Sequence, residues 1–221
     1  MQIDVEGFMD KMDTLNQDAN TEEGWVELMD EENMVCLVRK TESGDSLIRS
    51  TIKKDIPAEH ALECFLNTDQ ESLTWREDYK EVEVLEQISP DNKLVKFRMS
   101  LPWAFQYIFS LPDYMTFRVV VRRNWPEQNQ FAYVFVPFDP QKGEVEELGK
   151  IKVSAGTLRA DPEDPNKCII TTLDKADLGM VPNFLMKKVV AGNAKKLFNK
   201  MFTGYLKSQT YANLQAQMQQ Q

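Results

Sequence analysis

The chain has 221 residues, of which 42% are hydrophobic, 28% charged and 10% aromatic, and its formal net charge is −9. This balance is that of an ordinary globular protein of one large or two small domains. The acidic composition argues against general nucleic-acid binding, which depends on cations that neutralise phosphates. No apolar run approaches the roughly 20 residues of a membrane-spanning helix. The acidic start, MQIDVEGFMDKMD, lacks the layout of a secretory signal. We therefore expect a cytoplasmic protein.

The first third of the chain mixes helical and strand patterns. Residues 3–18 repeat apolar side chains at helical spacing, which predicts an N-terminal helix within 1–20. Short strands are predicted in GWVELMD, NMVCLVRKT and SLIRSTIKKDI. The segment PAEHALECFLN predicts a second helix, because Pro57 opens it and its apolar residues share one face.

From Glu81 the apolar period changes to two. The segments EVEVLEQIS and KLVKFRMSL alternate around the turn SPDN, which predicts a hairpin with one solvated face. The next segment, PWAFQYIFSLP, shows neither the helical period nor the strand period and is bounded by Pro102 and Pro112. A loop is therefore predicted there. Four further strands are predicted in YMTFRVVVRRNW, QFAYVFVPF, GKIKVSAGTLRAD and KCIITTLDKAD.

The last element is a predicted long helix over residues 182–215, followed by a frayed tail at 216–221. Its apolar stripe consists of Met186, Val190, Ala194, Leu197, Met201 and Tyr205. The order of elements lacks parallel β-α-β alternation, so the predicted fold class is α+β with a mostly antiparallel sheet. No linker divides the sequence, and a single domain over 1–221 is expected.

The end of the chain is basic although the protein is acidic. No Asp or Glu follows Asp177, whereas six lysines do. Since the whole chain carries −9 and this segment +6, the first 177 residues carry −15. The lysines that lie mostly off the apolar stripe are Lys188, Lys195, Lys196, Lys200 and Lys207.

Residue types that carry catalysis are scarce. His60 is the only histidine, and its acidic neighbours Glu59 and Glu63 predict a surface position. Cys36, Cys64 and Cys168 are far apart in sequence, which favours reduced core thiols over a disulfide or a metal site. No catalytic residue, metal ligand or cofactor is predicted. The many carboxylates leave an acid–base pair open.

Three segments, in order, resemble the START domain, the family of steroidogenic acute regulatory protein-related lipid transfer domains. LTWREDYKEVEVLEQIS resembles the family's Trp-centred segment before a strand rich in Val and Glu. SLPDYMTFRVVVRRNW resembles its strand that runs from an Asp-aromatic turn to an arginine, through Asp113, Tyr114 and Arg118. DLGMVPNFLMKKVV resembles the turn into its final helix, through Gly179, Val181, Pro182 and Leu185.

The resemblance implies a helix-grip fold, in which a curved antiparallel sheet wraps around the C-terminal helix and encloses an apolar cavity. It implies a non-catalytic protein that binds and transfers one lipid, a phospholipid or a sterol. Met99 and Arg76 stand where sterol-binding and phosphatidylcholine-binding members carry an acid. Neither pattern carries over, and the lipid is left open. The alternatives are an enzyme of the same superfamily, a ligand-gated interaction protein, and a solid core in place of the cavity.

The expected site has three parts. Arg118 is predicted to be the main fixed charge of the cavity, the alternative being a position on the solvated face of the sheet. The other expected lipid-binding residues are Phe97, Met99, Val120, Tyr133, Phe135, Met186, Val190, Leu197 and Met201. A mobile flap over the cavity mouth is expected to carry Trp103, Phe105, Tyr107 and Phe109.

Membrane contact is expected through the lysines of the C-terminal helix. Lys188, Lys195, Lys196 and Lys200 would meet anionic lipid, while the acidic body faces away. The alternative is that these lysines pair with carboxylates on neighbouring strands. We expect a monomer that binds no nucleic acid and touches membranes transiently.

Overall fold

The computed structural model describes residues 24–68, 71–76, 79–100, 103–125, 127–145, 150–179, 181 and 183–218. The helix predicted within residues 1–20 and the tail residues 219–221 lie outside these ranges. The described residues form ten strands, in chain order β1 (Val26–Glu31), β2 (Met34–Lys40), β3 (Ser46–Lys54), β4 (Tyr79–Ser89), β5 (Asn92–Met99), β6 (Tyr114–Arg123), β7 (Phe131–Asp139), β8 (Glu144–Val145), β9 (Ile151–Asp161) and β10 (Asp164–Ala176).

The strands form one antiparallel sheet in the order β1-β2-β3-β10-β9-β7-β6-β5-β4, with β8 paired only to β7. The central strands β6 and β7 are buried on both faces, whereas the edge strand β4 is mostly exposed. This difference explains the sequence patterns, because a strand covered on both sides reads as a continuous apolar run and a half-covered strand alternates. The sheet is curved and its concave face holds the C-terminal helix, so the predicted α+β helix-grip fold is confirmed.

The C-terminal helix begins with Asn183–Leu185, continues as a π-helical segment, Met186–Ala191, and ends as the regular α-helix Gly192–Tyr205. It does not run unbroken to residue 215 as predicted. Residues 206–208 interrupt it, and a separate last helix follows at Gln209–Met218. The carboxylate of Glu71 explains this start, since it accepts hydrogen bonds from the backbone N–H groups of Gln209 (2.8 Å) and Thr210 (3.3 Å). A carboxylate at a helix N-terminus satisfies N–H groups that have no partner within the helix.

The buried apolar residues form two clusters, one on each face of the sheet. The cluster on the concave face, hereafter the interior face, includes the C-terminal helix residues Met186, Val190 and Met201. The cluster on the outer face consists of strand residues, with Trp25 and Trp125 packed against it. Every strand residue can therefore be assigned to a face from the cluster that it joins and from its paired neighbours.

The predicted loop between Pro102 and Pro112 is wrong, because Trp103–Phe109 is a helix of seven residues. We call it the mouth helix. Ala104, Ile108 and Leu111 pack against the interior cluster. Ala104 and Ile108 are four residues apart and share one face of the helix, whereas Leu111 follows after the helix ends. Trp103 and Tyr107 point outwards and interrupt the apolar pattern, which is why the sequence showed no period there.

The helix Ala58–Leu66 is confirmed, but His60 is buried and not at the surface as predicted. Its ring meets that of Tyr211 edge-on, with 5.3 Å between the ring centroids, so the last helix covers it. Burial lowers the pKa of His60, which opposes a charge at neutral pH. The three cysteines are free and buried, as predicted.

Candidate functional site

A chain of aromatic rings crosses the interior from the C-terminal helix to the edge strand β4. Phe65 contacts both Phe198 and Tyr133, at centroid distances of 5.8 and 5.4 Å. The contacts continue through Phe135, Phe117 and Phe97 to Tyr79, at successive centroid distances of 5.5, 6.1, 6.2 and 4.8 Å. Aromatic pairs at these distances pack favourably in offset or edge-on arrangements. This path through the interior is therefore lined by aromatic side chains.

Tyr133 lies flat on the floor of this interior because residue 156 on the next strand is glycine. A Cβ at Gly156 would stand 2.5 Å from the Tyr133 hydroxyl oxygen. No real Cβ approaches another heavy atom so closely, so only glycine allows the ring to cross β9. Burial raises the pKa of Tyr133 well above its usual range, which keeps the phenol neutral.

An acid lies beside this tyrosine on the interior face. Ile170, Thr172, Asp174 and Ala176 alternate along β10, and Ile170 and Ala176 belong to the interior cluster. Asp174 therefore faces the C-terminal helix. Its backbone neighbours are Ile48 on β3 and Ser154 on β9. Burial raises the pKa of Asp174 to about 6, and a hydrogen bond from the Ser154 side chain partly opposes this rise.

Accessible surface remains along a central row of the interior face. Phe135, Ser154 and Asp174 are neighbours on three adjacent strands, and all three are only half-buried. In the next row, Tyr133, Gly156 and Thr172 are buried. The space above the first row is therefore incompletely filled, and the polar groups of Ser154 and Asp174 border it.

Most of the expected lipid-binding residues lie on the interior face. Phe97, Tyr133, Met186, Val190 and Met201 belong to the interior cluster, and Met99 and Phe135 pack against it. Leu197 is half-buried and outside both clusters. The structure thus brings together the residues chosen on β5, β7 and the C-terminal helix.

Contrary to the prediction from the sequence, Arg118 and Val120 do not lie on the interior face. They share a face, as predicted, but it is the outer one, because Val120 and its paired neighbour Val134 belong to the outer cluster. The Arg118 side chain is 1% exposed and donates a hydrogen bond of 2.7 Å to Glu86 on β4. Its guanidinium also lies over the ring of Phe138, at 5.3 Å from the centroid. Arg118 therefore joins strands on the outside of the sheet and does not line the interior.

An apolar groove of about 790 Å³ lies at the surface and is bordered by Ile108 and Leu178 of the interior cluster. One wall is the mouth helix, with Trp103, Tyr107 and Ile108, and the other is the approach to the C-terminal helix, with Leu178, Val181 and Leu185. Trp103 and Tyr107 are 80% and 79% exposed, and Phe184, next to the groove residue Leu185, is 70% exposed. The expected flap residues thus divide, since Phe109 is buried in the interior cluster. The side chain of Phe105 lies outside the described part of the structure.

Backbone hydrogen bonds join the two walls at one end of the groove. Lys150 donates its N–H to the carbonyl of Phe109, at the end of the mouth helix, and accepts one from Asp177, both at 2.8 Å. Lys40 then binds the carbonyl of Gly179 through its ammonium group, at 2.6 Å. This end of the groove is fixed, so any widening must occur at the end that carries Trp103 and Tyr107.

The lysines of the C-terminal helix do not form one uniform surface. Lys187, Lys188 and Lys196 are exposed. Lys195 instead forms an ion pair with Glu31 on the edge strand β1. Lys195 could bind anionic lipid only by giving up this ion pair with Glu31. Lys188 lies in the π-helical segment, directly after the groove.

Sequence reasoning did not find Asp174 or Ser154. The signal for Asp174 is its alternation with Ile170 and Thr172 in KCIITTLDKAD, which places a carboxylate on an apolar face. Ser154 carries no signal of its own, because small polar residues are common on both faces of a sheet.

Comparison with known proteins gives a family and a fold. The START domain profile matches residues 9–210. No curated protein matches the chain. Among solved structures, human StAR-related lipid transfer protein 5 is 16% identical, with a TM-score of 0.63 over 92% of this chain and 93% of that one. Human STARD10 is 15% identical, with a TM-score of 0.66 over 94% and 81%. A STAR-related lipid transfer protein of Xanthomonas axonopodis is 15% identical, with a TM-score of 0.57 over 83% and 99%. Within the described ranges, no helix is long and apolar enough to cross a membrane.

Proposed function

Because the chain belongs to the START domain family, we propose that it binds one lipid between the sheet and the C-terminal helix and transfers it unchanged between membranes. The observation that carries this proposal is the apolar groove at the mouth helix, beside an interior lined by aromatic side chains. A lipid chain in water costs about 0.8 kcal/mol for each exposed CH₂ group. A carrier lowers this cost by enclosing the chain in transit.

Entry requires that the two walls of the groove separate. The mouth helix packs on the interior through few residues, and its exposed aromatics leave much of its surface unburied. Such an element opens at low cost compared with the sheet, which is held by long ladders of backbone hydrogen bonds. The flap predicted from the sequence is retained here as this helix.

Membrane contact at the groove would use Trp103, Tyr107 and Phe184. Aromatic side chains favour the interface between headgroups and hydrocarbon. Lys187 and Lys188 follow directly and are exposed, and near an anionic leaflet each lysine contributes about 1 kcal/mol. The groove would then face the bilayer during exchange.

The test is transfer of a fluorescent lipid between two vesicle populations. A disulfide between the mouth helix and residues 183–185 should stop transfer, and reduction should restore it. Transfer at the wild-type rate in the oxidised protein would rule out this entry route. An enzyme would return a changed lipid, so mass spectrometry of the lipid after incubation separates a carrier from a catalyst.

The membrane surface is tested separately. Replacing Trp103, Tyr107 and Phe184 with Ala should weaken binding to anionic vesicles at least several-fold. Ile88 is also exposed, at 52%, but lies on β4, so Ile88→Ala is the matched control and should not change binding. Equal losses in both proteins would contradict the assignment of this surface.

A further inference from the structure

We propose that Asp174, with Ser154 beside it, binds the polar end of the lipid, and that this end is a hydrogen-bond donor, a hydroxyl or an amine, rather than a phosphate. This inference rests on the proposed function, since it requires a ligand in the interior. It adds the place where the ligand's polar end lies and the chemistry that recognises it.

The position of Asp174 is the first argument. It faces the C-terminal helix from β10, in a row of neighbours with Phe135 and Ser154 that is only half-buried. Ile48 and Val38 continue this row on β3 and β2, and both are buried apolar residues. The carboxylate is thus partly accessible on the interior face, between the half-buried Ser154 and the buried apolar residues Ile48 and Val38.

The hydrogen-bond capacity of the carboxylate is the second argument. An ionised carboxylate can accept about four hydrogen bonds. In the described part of the chain Asp174 receives one side-chain hydrogen bond, from Ser154, and takes part in no ion pair. Lys54 is on the same face, but it pairs with Cys168, at the other end of β10 from Asp174. Its ammonium group donates a hydrogen bond to the Asn199 side chain. A partly buried carboxylate with a single donor keeps acceptor sites unsatisfied, and this is costly, so a ligand that supplies a further donor is bound favourably.

Charge is the third argument. At neutral pH Asp174 remains mostly ionised, since its pKa is raised only to about 6. A phosphate placed beside it would put two negative charges together in a low-dielectric interior. A hydroxyl avoids this repulsion, and a protonated amine gains attraction. The neutral hydroxyl of Tyr133, held over Gly156, gives the site a second group that can donate or accept.

The experiment uses four ligands with one chain and different ends: octadecanol, octadecylamine, methyl octadecyl ether and octadecyl phosphate. Each is titrated against the full-length protein loaded with a nonpolar, environment-sensitive dye, and displacement is measured at pH 7. We expect the alcohol or the amine to bind at least ten-fold more tightly than the ether and the phosphate. Preference for the alcohol identifies a neutral lipid, and preference for the amine a cationic one.

Two variants locate the preference. Asp174→Asn should remove it while the ether still binds, and Ser154→Ala should reduce it less. Asp55→Asn, the same change at a side chain that is 87% exposed, is the control and should leave it intact. Equal binding of alcohol and ether by the wild type, tightest binding of the phosphate, or a preference that survives Asp174→Asn would overturn the assignment. If none of the four ligands binds the wild-type protein, it is the proposed lipid binding that fails.

Discussion

Arg118 and Asp174 are two charged residues of the sheet, and they lie on opposite faces of it. Arg118 is almost completely buried on the outer face, where it has a carboxylate partner in Glu86. Asp174 faces the C-terminal helix and has no ion-pair partner among the described residues. The arginine therefore behaves as a structural link between strands, whereas the acid has the features of a binding group. Two guanidinium nitrogens of Arg118, Nε and Nη1, have no hydrogen-bond partner among the described residues, so the two groups differ in the ion pair with Glu86 and in the face of the sheet on which they lie.

The sharpest test of this difference is the stability of Asp174→Asn. Because the pKa of Asp174 is about 6 in the folded protein and 3.8 when exposed, the folded state holds its proton more strongly between these values. The contribution of this group to stability is therefore highest at low pH and is lost as the pH rises through 6. At pH 7 the asparagine variant should be more stable by up to about 3 kcal/mol.

Urea denaturation at pH 7 and at pH 4.5 measures this effect. The advantage of the variant should shrink at the lower pH, where the wild-type carboxyl is protonated in the folded state. A variant that gains stability and loses ligand preference would mark Asp174 as functional. A loss of stability at pH 7 would show instead that the acid holds the sheet together.

The second test changes the floor of the interior. Gly156→Ala places a methyl group against the Tyr133 ring and must displace it. Overpacking of this kind costs about 1–3 kcal/mol. We expect that loss in thermal or urea denaturation, together with weaker lipid binding. Ala155, its neighbour on the outer face, provides the control. Ala155→Gly should cost a similar amount of stability but leave lipid binding unchanged.

The third test addresses the outer face. Glu86→Gln leaves the buried Arg118 guanidinium without its carboxylate, and because Glu86 is 52% exposed we expect a loss of only about 1–2 kcal/mol. Arg118→Leu removes the charge itself. Neither variant should change lipid affinity or selectivity, as measured by vesicle transfer. A change in selectivity in Arg118→Leu would return this residue to the ligand site.

The smallest expected effect concerns the basic helix. Lys195 pairs with Glu31 at the surface, and exposed pairs contribute about 0–1 kcal/mol. Lys195→Gln should change stability by less than about 0.5 kcal/mol and vesicle binding hardly at all. Replacing Lys187 and Lys188 with Gln should weaken binding to anionic vesicles and reduce its salt dependence. Equal effects of the two variants would mean that the whole helix, and not its start, meets the membrane.

Sequence patterns predicted nine of the ten described strands, the helix Ala58–Leu66 and the C-terminal helix, but not the mouth helix, the short helix Ser72–Trp75 or β8. Alternation or a short apolar run marked each of these strands, Pro57 marked a helix start, and the stripe from Met186 to Tyr205 marked the C-terminal helix. These signals are local, because each depends on the period of side chains along a single element. The mouth helix was missed because its exposed Trp103 and Tyr107 break the apolar stripe.

The face that each strand turns to the C-terminal helix depends on how the strands pair and pack in three dimensions. On β6 the residues from Phe117 to Val121 are buried on both sides, so the sequence gives Arg118 no preference between the faces. On β10 the acid stands among apolar and small polar residues, and its environment depends on Ser154 and Tyr133 from other strands. A shift of one residue exchanges the two faces of a strand. Pairing across the sheet therefore decides which charged residues face the interior. No single segment of the sequence contains that information.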